Sequence, residues 1–319
     1  MRYVLGVDSG GTKYLVRAAD LSGNSLGCDE GPAANHYMQP LDEVKRLIGE
    51  SIDRCLAQFG GARADCAYIV CGTTGCDSEE DHALLDSVYR KLPGFACPVH
   101  VVNDAELAHY TATGGEGLLL IAGTGSIAFG RNAAGETRRV GGWPMSVMGE
   151  EGSGRFVDAW AMHEYTRYLD GVREKTPMMD AIGRETGVRT AKEMMDYGMA
   201  MFGPPWPTPR LGAIVNEAAQ AGDRVACGIL SRAAAGNFDL LRELADALGY
   251  SGQDAFAIGL WGSTIVKGLY QRLLLTELVQ EAYPQAKIVI AKQDAAQGAV
   301  CWALERLKAE SSLGGENRA

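Results

Sequence analysis

One unit of sequence occurs twice in this chain, and the repeat restricts the possible folds more than any other feature. A strand, Tyr3–Asp8, runs into the glycine turn Ser9-Gly10-Gly11-Thr12-Lys13 and returns as a second strand, Tyr14–Ala19, before another turn at Leu21–Ser25. The same grammar recurs at Leu118–Ile121, Ala122-Gly123-Thr124-Gly125-Ser126, Ile127–Arg131 and Asn132–Thr137. Each copy reads as an antiparallel meander, and each is followed by alternating helical and strand patterns. After the first come helices near 41–59 and 81–91 and strands at 67–70 and 99–102. After the second come helices at 153–169, 223–248, 264–282 and 294–309, with strands at 255–260 and 287–290. Two mixed sheets with crossover helices follow, an α/β chain of duplicated halves with an interdomain cleft of the kind that commonly binds small ligands.

A length of 319 residues suits two such domains. We expect an N-terminal domain at 1–114, with a helix at 294–310 packing back on it, a C-terminal domain at 115–293, and a disordered tail at 311–319. The segment 201–209, with four prolines, reads as a rigid loop. A net charge of -10 and an isoelectric point near 5.1 argue against nucleic acid, because such a surface gains little from releasing phosphate counterions. No run of 18 apolar residues is present and the first apolar stretch is too short for a signal peptide, so the expectation is a cytoplasmic protein without a membrane segment. The eight cysteines are scattered, and Cys66, Cys71 and Cys76 fall at five-residue intervals that match no zinc motif; small buried hydrophobes are the expectation.

The residues that carry chemistry cluster at the strand ends. Asp8 closes a buried strand and is followed by glycines that let backbone N–H groups approach an anion. The turn is neither a P-loop nor a dinucleotide fingerprint, and alone it reads equally as a tight turn. Its counterpart, Gly123-Thr124-Gly125, makes the pair more specific, because two such turns across a cleft would cradle a triphosphate. Asp104 follows the strand 99–102 and opens a helix. It reads either as an N-cap or as the base that phosphoryl transfer needs beside an attacking hydroxyl, with Asp8 as the carboxylate on the side of Mg2+. Asn35 offers a donor and an acceptor to neighbouring sugar hydroxyls, or else serves a turn. The loop Cys71–Gly75, with Thr73, presents hydroxyls or N–H groups to a substrate or is a polar turn. Trp143 can pack under the apolar face of a sugar or within the structure. Asp158, His163 and Glu164 lack the H-E-x-x-H order and read as a solvated helix face, and the methionines between 145 and 201 receive no function.

The ordered set Asp8-Ser9-Gly10-Gly11-Thr12, Asn35-His36, Asn103-Asp104-Ala105, Ala122–Ser126, Gly141-Gly142-Trp143 with Gly149–Ser153, and Gly259–Ser263 resembles the N-acetylglucosamine kinase branch of the BadF/BadG/BcrA/BcrD ATPase family. The resemblance spans nearly the whole chain. It implies a duplicated ribonuclease H-like (actin/Hsp70-type) two-domain ATPase fold and transfer of the γ-phosphoryl group of ATP, with Mg2+, to the 6-hydroxyl of an amino sugar. N-acetylglucosamine leads, with glucosamine and N-acetylmuramic acid next. The implied nucleotide contacts are Gly10, Gly11, Thr12, Lys13, Gly123, Thr124, Gly125, Gly212, Gly262 and Ser263. The implied sugar contacts are Asn35, His36, Thr73, Asp104, Gly142, Trp143 and Glu150, and the family suggests a homodimer. The chain departs from the family's pattern at Glu150, where relatives have aspartate, and in one extra residue between Trp143 and Gly152-Ser153. A rival reading is an ATP-driven activator of a dehydratase, or a nucleotide-dependent regulator. The activator needs thiolate ligands after the second phosphate turn, and no cysteine stands between 98 and 226.

Overall fold

The computed structural model describes residues 1–143, 149–200 and 210–316. It divides into two compact units, one of residues 1–115 with 291–319 and the other of 116–290. The 201–209 loop and residues 317–319 of the expected tail lie outside the described residues.

The first unit is built on β1 (Tyr3–Ser9), β2 (Lys13–Asp20) and β3 (Ser25–Pro32), an antiparallel meander, followed by α1 (Leu41–Ala57), β4 (Cys66–Thr73), α2 (Glu79–Arg90), β5 (Val99–Asn103) and α3 (Asp104–Thr113). The strand order is β3-β2-β1-β4-β5, with β1, β4 and β5 parallel. Parallel strands covered by helices on their faces should read as unbroken apolar runs, and β4 is buried along its whole length. In the register of the sheet, Ser9 pairs with Thr73 and Thr73 with Asn103, so the carboxyl ends of three parallel strands finish level. Ligands in such sheets bind outside these ends.

The second unit repeats the plan with β6 (Gly117–Ala122), β7 (Ser126–Arg131) and β8 (Thr137–Gly141). A helical insertion follows: α4 (Gly154–Leu169), α5 (Pro177–Thr186), α6 (Ala191–Ala200), α7 (Gly212–Gln220) and α8 (Arg224–Leu248). Then come β9 (Ala257–Trp261), α9 (Ser263–Lys267), α10 (Leu269–Ala282) and β10 (Lys287–Ile290). The order β8-β7-β6-β9-β10 matches that of the first sheet position for position, with β6, β9 and β10 parallel. The first core is centred on Leu5, Val7, Val16, Ile48, Ile52 and Ile69, the second on Leu118, Leu120, Leu241, Leu244, Ile258 and Leu260. A third cluster, with Met178, Met179, Ile182 and Leu230, sits in the helical insertion.

The last helix, α11 (Ala295–Glu316), belongs to the first unit. Gly6 on β1 admits it closely: a Cβ there would stand 2.2 Å from the Ala296 carbonyl oxygen. The described backbone continues α11 through residues 311–316, where the sequence reads as the start of a disordered tail. Once a helix is nucleated, each further residue adds a hydrogen bond at low cost. The helix expected over 264–282 is two helices instead. They are broken at Gly268, where a Cβ would meet the Thr264 carbonyl at 2.4 Å.

Of the cysteines, Cys55, Cys66, Cys71 and Cys76 are buried, Cys97, Cys227 and Cys301 partly so, and Cys28 is exposed. Among the described residues no group of three or more His, Cys, Asp or Glu side chains forms a metal cluster, and no helix is long and apolar enough to cross a membrane.

Candidate active site

In the first unit the strand ends collect the carboxylates. Asp8 is the penultimate residue of β1, and the turn after it closes by the Gly10 N–H donating to the Lys13 carbonyl at 3.0 Å. Neither Gly10 nor Gly11 has positive φ, and a Cβ on Gly11 would meet nothing within 4 Å. The fold itself therefore does not demand glycine at 11; the open space above the turn is what a side chain would occupy. Thr12 is exposed, and Lys13 Nζ lies 2.7 Å from Glu30 on β3.

Asp104 is the first residue of α3. The N-cap is Asn103, whose Oδ1 accepts from the Ala105 N–H at 2.9 Å, so Asp104 is not the capping residue that one reading of the sequence made it. Its own Oδ1 also accepts from Ala105 N–H, at 2.9 Å, and the Thr74 hydroxyl bonds its carboxylate. Burial pushes the Asp104 carboxyl above the usual carboxylate range; these hydrogen bonds pull it down, and Asp77 adds a push upward. Asp8 is raised to about 6, first by burial, then by the negative charges of Asp104 and Asp294, with Lys13 opposing. Asp294 is itself occupied by Arg17, whose Nη2 and Nε reach it at 2.6 and 3.0 Å.

The loop at 34–39 is tied to the same strand ends. Ser9 Oγ donates to the Ala34 carbonyl at 3.2 Å, and Thr74 N–H donates to the Ser9 carbonyl at 2.8 Å. Asn35 stands between, its Oδ1 taken by Tyr37 N–H at 2.8 Å in a local turn. His36 Nε2 faces Asp81 Oδ1 at 3.1 Å, and Tyr37 donates to the other oxygen of Asp81 at 2.7 Å. His36 Nδ1 is buried without a partner. Thr73 is buried at the end of β4, its hydroxyl on the Thr74 carbonyl at 3.3 Å. Asp8, Asn35, His36, Thr73 and Asp104 thus share one end of one sheet.

In the second unit the turn after β6 is clamped by its neighbours. Gly123 N–H donates to the Gly125 carbonyl at 2.9 Å. The Gly123 carbonyl accepts from Gly154 N–H and from Thr264 Oγ1, both at 2.8 Å, and the Thr124 carbonyl accepts from Arg155 N–H at 3.2 Å. Ser153 caps α4 by accepting from Phe156 N–H. Gly262, at φ +92°, lies against the turn: a Cβ would stand 2.6 Å from the Ala122 carbonyl carbon and oxygen and 2.9 Å from Gly123 N. Ser263 opens α9 and Gly212 opens α7. Gly123, Thr124, Gly154, Arg155, Asp158, Arg210, Gly212, Ser263 and Thr264 line one cavity of about 410 Å³. It joins two cations to a glycine turn and the first turn of a long helix, a set suited to phosphate. A larger hollow, about 760 Å³, lies in the first unit between α1 and α2, away from the strand ends, among charged side chains such as Arg46 and Glu50 that pair with one another.

Gly142, at φ +74°, bonds Ser126 and abuts Ile127, and Trp143 is 56% exposed with the Arg139 guanidinium 5.3 Å from its ring centroid. Glu150 is buried; Arg155 Nη1 reaches its two oxygens at 3.1 and 3.4 Å. Gly154, Arg155, Arg210 and Thr264 of the second cavity were not singled out in the sequence, whereas Thr74 falls within the Cys71–Gly75 loop that was. Asp158 is not on a solvated face. Its Oδ1 accepts from Leu211 and Gly212 N–H at 2.8 and 3.1 Å, which fixes the start of α7, and burial raises its carboxyl to about 6. Glu164 is also buried, with Arg173 at 2.6 Å, whereas His163 is exposed.

The family model for the BadF/BadG/BcrA/BcrD ATPase family matches residues 5–303. The chain is 31% identical over 305 residues to an N-acetylmuramic acid/N-acetylglucosamine kinase of Clostridium acetobutylicum, covering 94% of this chain and 97% of that one. It is 27% identical over 314 residues to an N-acetyl-D-glucosamine kinase of Dictyostelium discoideum, covering 95% and 98%. Among solved structures, a protein of Chromobacterium violaceum provisionally described as an N-acetylglucosamine kinase superposes with a TM-score of 0.74 at 26% identity, covering 94% and 98%. A ROK hexokinase of Thermus thermophilus shares the fold, with a TM-score of 0.61 at 18% identity over 96% and 99%.

Proposed function

This chain belongs to the BadF/BadG/BcrA/BcrD ATPase family, and from that premise we propose that it is an amino-sugar kinase, transferring the γ-phosphoryl group of ATP to the 6-hydroxyl of N-acetylglucosamine or a close relative. The observation that carries the reading is Asp104. Its carboxylate stands at the end of a parallel sheet beside the Asn35–His36 loop, held by Thr74 and Ala105 and raised in pKa by burial. A carboxylate held in one orientation, its pKa raised by burial, suits deprotonation of a sugar hydroxyl.

The chemistry divides between the units. In the first, Asp104 orients the acceptor hydroxyl and takes its proton, Asn35 offers its amide –NH2 to the sugar, and His36 and Thr73 shape the pocket. In the second, the Gly123–Gly125 turn and Ser263 hold the nucleotide phosphates, with Gly212 and Gly262 as backbone contacts beside it. Gly10, Gly11, Thr12 and Lys13 are assigned further N–H and cationic contacts to the nucleotide, and Gly142 and Trp143 contacts to the sugar.

The donor set fits Mg2+. Asp8 is a hard oxygen ligand, raised in pKa first by burial and then by neighbouring carboxylates, of which Asp104 has no cation on it among the described residues, and a divalent cation would relieve that charge. Mg2+ is usually held by one or two carboxylates plus substrate phosphates, so Asp8 is the residue that would hold it. When bound, the ion would neutralise charge on the β- and γ-phosphates. We place the protein in the cytoplasm, where ATP is made, with a homodimer as the assembly to look for.

ADP release with Mg-ATP, measured against N-acetylglucosamine, glucosamine, N-acetylmuramic acid, N-acetylmannosamine and glucose with a sugar-free control, tests the reading. Turnover should depend on one amino sugar. ADP release indifferent to every sugar would overturn it.

A further inference from the structure

Glu150 is the only described residue other than glycine with positive φ, at +73°. A glutamate in the left-handed region costs about 1 kcal/mol or more and persists where its surroundings over-determine it. The surroundings here are the phosphate turn. A Cβ built on Gly125 would lie 2.7 Å from Glu150 Oε1, so the carboxylate rests on the turn backbone and would have to shift to admit a side chain there. The turn that follows, Glu151-Gly152, is locked from behind by Asn237, which donates to the Glu151 carbonyl at 2.9 Å, and by Gln271, which donates to the Gly152 carbonyl at 2.8 Å. A buried carboxylate pressed against a turn built for phosphate would repel a polyanion unless a cation stood with it.

Arg155 is that cation. Its Nη1 alone serves Glu150, and among the described residues Nε and Nη2 have no partner. The side chain is 42% exposed, and Arg155 lines the same cavity as Gly123, Thr124, Ser263 and Arg210. Its main-chain N–H is anchored on the Thr124 carbonyl, which sets the root of the side chain at the turn. A guanidinium with one edge on a carboxylate and the other open is pre-organised for a bidentate phosphate contact.

We propose that Arg155 binds the terminal phosphates of the nucleotide, and that Glu150 is its positioning residue, acting on ATP rather than on the sugar. The proposal rests on the nucleotide reading of the second unit. It also gives the departure at 150 a purpose: the glutamate reaches both Gly125 and the arginine.

The test is calorimetric binding of ATP, its β,γ-imido analogue and ADP without sugar, together with KM for the sugar, on wild type and on R155Q, R155K, E150Q and the R155Q/E150Q double variant. R155Q should weaken ATP binding at least about tenfold and ADP binding less, because a charge-assisted contact is lost. R155K should fall between R155Q and wild type, since it keeps the charge and loses the fork. E150Q should weaken ATP binding less than R155Q, the double variant should be no worse than R155Q alone, and KM for the sugar should stay within about twofold throughout. Melting temperatures check that each variant folds, and R155K carries the test should R155Q not. Either of two results overturns the proposal: R155Q and R155K binding ATP as wild type does, or E150Q raising the sugar KM with nucleotide binding unchanged. A wild-type protein that bound no adenine nucleotide would instead refute the nucleotide reading itself.

Discussion

Gly262→Ala isolates how the second unit shapes its Gly123–Gly125 turn. Gly262 sits at φ +92°, ψ 147°, a region that L-residues scarcely enter, at a cost of about 1–3 kcal/mol. The added methyl would also meet Ala122 carbonyl atoms at 2.6 Å and Gly123 N at 2.9 Å, all backbone, which cannot rotate away as a side chain does. Forcing a methyl into packed surroundings costs a further 1–3 kcal/mol or so. Together they come to about 4 kcal/mol. For a unit of this size each kilocalorie lowers Tm by about 2–4 °C, so a fall of about 8–16 °C in the transition of the second unit is expected. The control is Gly212→Ala, at the first position of α7, where φ is not positive and a Cβ meets nothing within 4 Å; it should leave Tm within about 2 °C. Because the methyl bears on Gly123, ATP affinity should fall with stability in Gly262→Ala. Calorimetric scans of the three proteins and nucleotide titrations below the transition make the comparison. If Gly262→Ala melts with wild type, the close approach of Gly262 to the turn is not what holds it, and the reasoning fails.

Asp104→Asn should lower kcat for sugar phosphorylation roughly 100-fold or more with little change in nucleotide affinity, and a variant retaining strong turnover in the ADP-release assay would remove the base from the mechanism. Asp158 is raised to about 6 against an unfolded value near 3.8. Its contribution to stability is therefore present below pH 3.8 and lost as pH rises through 6. Asp158→Asn, which keeps an oxygen for Leu211 and Gly212, should match wild type in denaturant titrations at pH 4 and exceed it by about 1–3 kcal/mol at pH 8. No difference between the two pH values would count against a buried anion there. Asn237→Leu removes a fully buried amide that bonds the Glu151 carbonyl and accepts from buried Gln271; a loss of about 2–4 kcal/mol is expected in urea unfolding, and a neutral substitution would mean the network carries little of the 150–153 turn.

The duplication was legible because its signals are local: glycines after an apolar run mark a strand and its turn without reference to anything distant. The two sheets accordingly repeat one strand order. The helical insertion was not legible in detail, since α5, α6 and α7 are each ten residues or fewer and their apolar residues face a separate cluster. The break at Gly268 depends on a carbonyl one turn earlier in the folded chain. Asp104 and Asn35 could be picked out by motif, but the side chain that fills the cap of α3 is Asn103, a matter of one residue that only dihedral angles decide. Asp158 and Glu164 share a helix with exposed His163; nothing in their spacing tells that their partners come from Leu211, Gly212 and Arg173. Arg155 was invisible for the same reason, because its meaning lies in the carboxylate that reaches it.

The closing helix has a consequence for how the protein is made. Ala296, Ala299, Val300 and Ala303 of α11 are fully buried in the first unit, and Trp302 stacks on Tyr110 with ring centroids 4.3 Å apart. The second unit is one uninterrupted stretch, 116–290, whereas the first is divided between the two ends of the chain. On the ribosome, the half that begins first is therefore completed last: β1 waits, its apolar face uncovered, until the final thirty or so residues emerge, while the later half can already be folded. Premature termination near residue 290 would release a chain with one finished unit and one exposed sheet, a species suited to aggregation and to chaperone capture.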